Sequence, residues 1–238
     1  MADPILDDDA FARLSLPERL LDISRRATRP VFTTSLGIED QAIAHAIALS
    51  KAPIRIVTLD TGRLFPETIR LIEQTEQALG IAIERFHPHA ADEDAYVAAY
   101  GRDGFYESVE ARHACCGFRK LKPLALALAG ADGWITGLRR GQSDARSHVP
   151  FAEHDEARGL FKFNPLADWD ADKLREYVET HAIPVNPLHA RGYPSIGCEP
   201  CTRAIRPGES ERAGRWWWEN DAKRECGLHV ADATPQAA

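Results

Sequence analysis

The chain has 238 residues, 44% hydrophobic and 27% charged, which suits a soluble globular protein with one sizeable core or two small ones. Its 29 basic and 36 acidic residues give a net charge of −7, which argues against a general nucleic-acid binder unless charge is locally segregated. No apolar run approaches the ~20 residues of a membrane span, and the start, MADPILDDDA, is acidic where a signal peptide is basic and then apolar, so the expected compartment is the cytosol.

The elements read in chain order. After an N-terminal helical segment, residues 1–29, VFTTSL (31–36) is a buried strand, and GIEDQAIAHAIALS carries apolar residues at helical spacing. IRIVTLD (54–60) is a second strand; PETIRLIEQTEQALG starts with Pro66 in a first-turn position and stops at Gly80. IAIERFH (81–87) is a third strand. WITGL (134–138) is a fourth, after the apolar helix FRKLKPLALALAG, where Pro123 is more easily placed in the first turn than in the interior. Strand and helix alternating with short joints predict an α/β fold with a parallel twisted sheet flanked by helices, over residues 30–190. DADKLREYVETHA is a further helix. Residues 191–238 are rich in Pro, Gly, Arg and aromatics, and are expected as an irregular C-terminal segment packing on the same domain.

In such sheets ligands sit outside the carboxyl ends of the strands, which singles out TTSLGIED, LDTGRLFPET and GLRRGQSDARS. Between Arg112 and Arg146 stand seven Lys or Arg (Arg112, Arg119, Lys120, Lys122, Arg139, Arg140, Arg146) against Asp132 and Asp144, a local basic patch that suggests a small anionic ligand. Five cysteines in a chain without a signal segment point to metal binding or thiol chemistry rather than a disulfide framework. Four of them form close pairs, Cys115 with Cys116 and Cys198 with Cys201. Four thiolates can hold zinc or an iron–sulfur cluster. Neighbouring side chains diverge, so the adjacent pair suits a 4Fe-4S cluster better than one tetrahedral ion; burial as small apolar groups is the plainer alternative. Cys226 has no cysteine partner in sequence, but Lys223, Arg224 and His229 could populate its thiolate; it could equally be an incidental thiol.

Taken together, TSLGIED, LDTGRLFPET, CCGFRK, GLRRGQS, GCEPCTR, GRWWWE and ECGLH resemble the assimilatory adenylyl-sulfate (APS) reductases, the iron–sulfur branch of the PAPS/APS reductase family, in family order over residues 30 to 230. The resemblance implies an adenine nucleotide α-hydrolase-like fold and thioredoxin-dependent reduction of APS to sulfite and AMP in assimilatory sulfate reduction. It further implies one 4Fe-4S cluster on Cys115, Cys116, Cys198 and Cys201, and Cys226 as the nucleophile that carries an S-sulfocysteine intermediate. Substrate-binding residues carried over by the same resemblance are Lys120, Arg139 or Arg140, Arg212, Arg215 and His229. Thr34, Ser35 and Gly37 form the first loop, in which Leu36 stands where related folds place glycine or a small hydroxyl residue. Asp60, Thr61, Gly62 and Arg63 follow the second strand, where a turn and helix start explain them equally well. APS and reduced thioredoxin are the implied partners, with nucleic acid and membrane excluded and homo-oligomerisation left open. The alternatives are a PAPS or dual APS/PAPS reductase, and a zinc-clamped nucleotide-binding module without redox catalysis.

Overall fold

Strand β1 (Pro30–Thr34) is almost wholly buried, as a strand covered on both faces must be. It leads into α3 (Ile38–Ser50), which ends where Lys51 turns left-handed; two helices precede it, α1 (Asp8–Arg13) and α2 (Leu16–Arg26). Strand β2 (Arg55–Leu59) follows, then α4 (Pro66–Leu79). Pro66 opens α4, where a missing N–H leaves no hydrogen bond unmade, and Gly80 closes it in the left-handed conformation that glycine adopts without strain. The computed structural model describes residues 7–143 and 146–219; Cys226 and His229 lie outside the described residues.

Beyond β3 (Glu84–Phe86) come α5 (Ala90–Tyr100), α6 (Val109–Cys116), α7 (Lys122–Ala127) and β4 (Gly133–Ile135). Strands β5 (Ala152–Asp155) and β6 (Leu160–Phe163) and helix α8 (Ala171–Thr180) complete the regular elements. The six strands lie in the order β3-β2-β1-β4-β6-β5. Every neighbouring pair is parallel except β5 with β6, so the sheet is mostly parallel with one antiparallel edge. The sequence reading ends its strands at residue 138 and misses this edge hairpin. The reason is local: β5 reads Ala-Glu-His-Asp, with no apolar run, and gains its register only by pairing with β6.

The helix carrying the first cysteine pair also differs from expectation. Gly117–Leu121 forms a π-helical turn that runs directly from α6 into α7, and the Lys122 N–H reaches back to the Gly117 carbonyl. Pro123 therefore sits inside a continuous helical stretch. The wide turn just ahead of it loosens the ladder where a proline would otherwise remove a bond and clash with the preceding turn.

The N-terminal helices share the main core: Leu16, Leu20 and Ile23 pack in one cluster with Phe32, Ile43, Ile135 and Phe163. Arg19, buried in that interface, donates to the carbonyls of Ala12, Leu14 and Pro165 and to both carboxylate oxygens of Asp168. From residue 191 to 219 the chain crosses the sheet's carboxyl end. A bridge pairs Leu64 with Cys198, the Glu199 N–H donates to the Arg63 carbonyl, and a second bridge pairs Thr202 with Arg215.

Candidate functional site

The turn after β1 closes on itself. The Leu36 N–H donates to Thr34 Oγ1 at 3.0 Å, while the Ser35 N–H and hydroxyl both donate to Asp40 Oδ2, at 2.5 and 2.7 Å. Leu36 has φ 60°, the left-handed conformation that glycine takes most readily, and its side chain is buried. The leucine thus adopts the backbone that the expected glycine would, with burial of its side chain on the favourable side of the balance. Burial pushes the Asp40 carboxyl up to about 7, against the opposing effect of the two Ser35 hydrogen bonds. Gly137 makes room for it: a Cβ there would collide with Asp40 Oδ1.

Thr34, Ser35, Gly37, Glu39 and Asp40 form one side of a cavity of about 220 Å³ at the carboxyl ends of β1, β2 and β4. Thr58, Thr61, Trp134, Thr136, Gln142 and Arg146 add to its wall. The segment Pro194–Cys198 and the residues Glu211, Arg212, Arg215 and Trp216 form the opposite side, and Lys120 also lines it. Arg215 donates weakly to Ser195 Oγ and the Ile196 carbonyl, at 3.3 and 3.4 Å, and its guanidinium lies 4.8 Å from the Trp216 ring centroid. Gly197 leaves room for the Arg215 guanidinium, which a Cβ at that position would displace.

A second, narrower cavity adjoins the first. The four described cysteines line it together with Arg63, Phe105, Arg112, Arg119, Lys120 and Pro200. None of the four is in a disulfide. Thr61 Oγ1 is 3.3 Å from Cys198 Sγ. Burial raises the Cys115 thiol and pushes Cys201 up to about 12, with the neighbouring Cys198 adding to the second shift. Buried thiols of this kind become thiolates when a bound metal replaces their protons. Among the described residues, no three His, Cys, Asp or Glu side chains are grouped to hold a single metal ion. Lys120 and Cys198 belong to the walls of both cavities.

Of the residues expected at the substrate, Thr34, Ser35, Gly37, Thr61, Lys120, Arg212 and Arg215 line the larger cavity. Asp60, Gly62, Arg63, Arg139 and Arg140 are not brought to its wall. Asp60 Oδ1 accepts the Gly62 N–H, the turn explanation, and Arg63 pairs with Asp103 and the Arg102 carbonyl beside the cysteines. Arg139 is buried against Glu39, which accepts from its Nε and Nη2 at 3.0 and 2.8 Å. Arg140 donates to the Val149 carbonyl and lies over the Phe151 ring.

The seven cations between residues 112 and 146 accordingly do not make one basic patch. Arg112 pairs with Glu219, Arg119 with Glu93, Lys122 with Asp92 and Arg139 with Glu39. Thr58, Thr136 and Ser195 are wall residues that the sequence reading does not name, whereas Gln142 and Arg146 belong to the loop GLRRGQSDARS that it singles out. The rule that ligands gather at strand carboxyl ends singles out the positions of the first two, directly at or after β2 and β4.

A family model described as the phosphoadenosine phosphosulfate reductase domain matches residues 29–204. Over 226 residues the chain is 65% identical to the adenosine 5′-phosphosulfate reductase of Sinorhizobium fredii (strain USDA 257), covering 95% of this chain and 90% of the relative. The structure is similar to that of a phosphoadenylyl-sulfate (PAPS) reductase from Candida auris in a phosphate complex, with a TM-score of 0.69, 26% identity, and coverage of 83% of this chain and 94% of the other. It also shares its fold with yeast FAD synthetase in complex with FAD, at a TM-score of 0.53, 14% identity, and coverage of 85% and 70%.

Proposed function

Because this chain belongs to the phosphoadenosine phosphosulfate reductase domain family, matched along residues 29–204, we propose that it reduces adenylyl sulfate to sulfite and AMP with thioredoxin as electron donor. Family membership makes it an oxidoreductase; APS as the preferred substrate is supported by the 65% identical relative, an adenosine 5′-phosphosulfate reductase. The observation that carries the reading is the pair of adjoining cavities, one bounded by strand ends as a nucleotide requires and one by four thiols, with Lys120 and Cys198 common to both.

The donor set suits a 4Fe-4S cluster. Four thiols outside any disulfide share one cavity, two of them on adjacent residues, and Arg112, Arg119 and Lys120 line it as cations that would offset a thiolate-held cluster's charge. Bound there, the cluster would supply a fixed electrostatic field beside the substrate. A zinc clamp would use the same ligands, and metal analysis separates the two.

The chain's own residues perform the steps. Lys120, Arg212 and Arg215 hold the phosphate and sulfate oxygens, Arg215 being oriented by Ser195 and the Trp216 ring. The Cys226 thiolate attacks the sulfate sulfur; the sulfur–oxygen bond to the phosphate breaks, AMP leaves, and an S–S bond forms on the enzyme. A thioredoxin thiolate then attacks Cys226 Sγ, sulfite leaves with the bonding electron pair, and the second thioredoxin thiol resolves the mixed disulfide. Two electrons from the dithiol reduce one sulfate group.

The test is incubation with labelled APS in the absence of thioredoxin, followed by mass mapping. A sulfo adduct on Cys226, absent from Cys226→Ser, is expected, together with loss of sulfite production in that variant. Appreciable turnover by Cys226→Ser removes the nucleophile assignment. A strong preference for PAPS in a parallel assay makes the chain a PAPS reductase instead, and stoichiometric zinc without acid-labile sulfide in anaerobically purified protein replaces the cluster with a zinc clamp.

A further inference from the structure

Arg112 stands on α6, one turn before the adjacent cysteines, and lines their cavity. It is 1% exposed. Its Nε donates to Glu219 Oε1 at 2.6 Å, and its guanidinium carbon lies 4.9 Å from the centroid of the fully buried Trp216 ring. These two contacts fix the plane of the fork. Yet Nη1 and Nη2 have no hydrogen-bond partner among the described residues.

The neighbouring cations are differently placed. Arg119 spends Nη1 on the Thr61 carbonyl and Nη2 on Glu93, and Lys122 pairs with Asp92. A buried guanidinium with its two terminal amino groups unmatched is strongly disfavoured, so the site calls for an acceptor. Arg112 lines the cysteine cavity and not the larger one, so the acceptor belongs with the thiols rather than with the nucleotide.

We propose that Arg112, clamped by Glu219 and Trp216, donates its two terminal amino groups to sulfur atoms of the iron–sulfur group held by the four cysteines. The proposal rests on the cluster reading given above. Arg112 is a positioning and tuning residue: a cation donating to sulfur draws electron density off it, weakens the Fe–S bonds slightly, and makes the cluster easier to reduce.

The measurement is resonance Raman spectroscopy of the anaerobically purified full chain in H2O and D2O, with iron and acid-labile sulfide determined on the same samples. Arg112→Gln is expected to keep the cluster, to move the Fe–S stretching bands to higher frequency, and to shrink their shift on deuteration; Arg112→Lys falls between it and the wild type. A cluster-loaded Arg112→Gln with wild-type bands overturns the proposal. If Arg112→Gln does not fold or load, Arg112→Lys and Glu219→Gln decide: displaced bands in either support the proposal, and wild-type bands in both overturn it. A wild-type protein that carries neither iron nor sulfide overturns this proposal and the cluster reading together, whereas a loaded wild type whose bands ignore Arg112 removes only the role given to Arg112.

Discussion

Asp40 makes the folded protein's stability depend on pH in a direction opposite to that of a salt-bridged carboxylate. Its carboxyl is 7% exposed, and burial carries it from an ordinary 3.8 to about 7. Between those values the folded chain keeps a proton that the unfolded chain has released, so the native state binds more protons and stability falls as pH rises. The contribution is complete below 3.8 and gone above about 7. At about 1.4 kcal/mol for each pH unit of that window, this one group removes about 4 kcal/mol between acid and neutral solution. Asp40→Asn copies the protonated form: an amide oxygen can accept from Ser35, and no charge has to be buried. Urea unfolding of both proteins from pH 4 to 8 tests this. The wild type is expected to lose stability relative to Asp40→Asn across the window, by up to about 4 kcal/mol, with the difference levelling off above pH 7. Parallel profiles for the two proteins would refute the reasoning, because they would show that the carboxyl titrates alike folded and unfolded.

Two further substitutions probe packing around the site and the core. Gly137→Ala puts a methyl group onto Asp40 Oδ1 and 3.1 Å from Glu39 Cβ, so it should weaken AMP binding, read by calorimetry, at least about tenfold, the effect of about 1.4 kcal/mol; unchanged affinity would mean that the turn yields freely. Arg19→Met leaves Asp168 and three carbonyls without their donor, and because Asp168 keeps 23% side-chain exposure the loss should be about 3 kcal/mol in denaturant unfolding, with a loss below about 1 kcal/mol counting against the buried network.

The sheet's first half is legible because local signals and tertiary packing agree there: Val31 and Phe32 sit in a β-branched and aromatic run, and Pro66 and Gly80 mark the limits of α4. The edge hairpin is not, since Glu153, His154 and Asp155 acquire a strand's conformation only from pairing with Leu160–Phe163. At the site, the four cysteines could be grouped from spacing and chemistry, and they do share a cavity. Arginines could not be sorted in the same way. Arg139 and Arg140 look alike in GLRRGQS, yet the first is occupied by Glu39, one hundred residues earlier, and the second by the Val149 carbonyl. Arg112 was one cation of seven in sequence, and only the fold shows that its partner is Glu219 and that its two terminal amino groups have no partner among the described residues.

The π-helical turn Gly117–Leu121 has a consequence for how the chain can vary. A π turn holds one residue more than the α-helical turn it replaces, so deleting any single residue from this stretch would turn it into an ordinary α-helical turn. The segments on either side would keep nearly the same relative orientation, because the wide turn and the α-helical turn that replaces it each complete one revolution. Cys115 and Cys116 could keep their place with Leu124 and Ala127 still in the core against Trp134, but Pro123 would lose the loosened ladder ahead of it and its ring would meet the carbonyl of the preceding turn. A shortened helix would satisfy the thiols and the sheet but not the proline, and length between the cysteine pair and Pro123 is therefore as constrained as residue type.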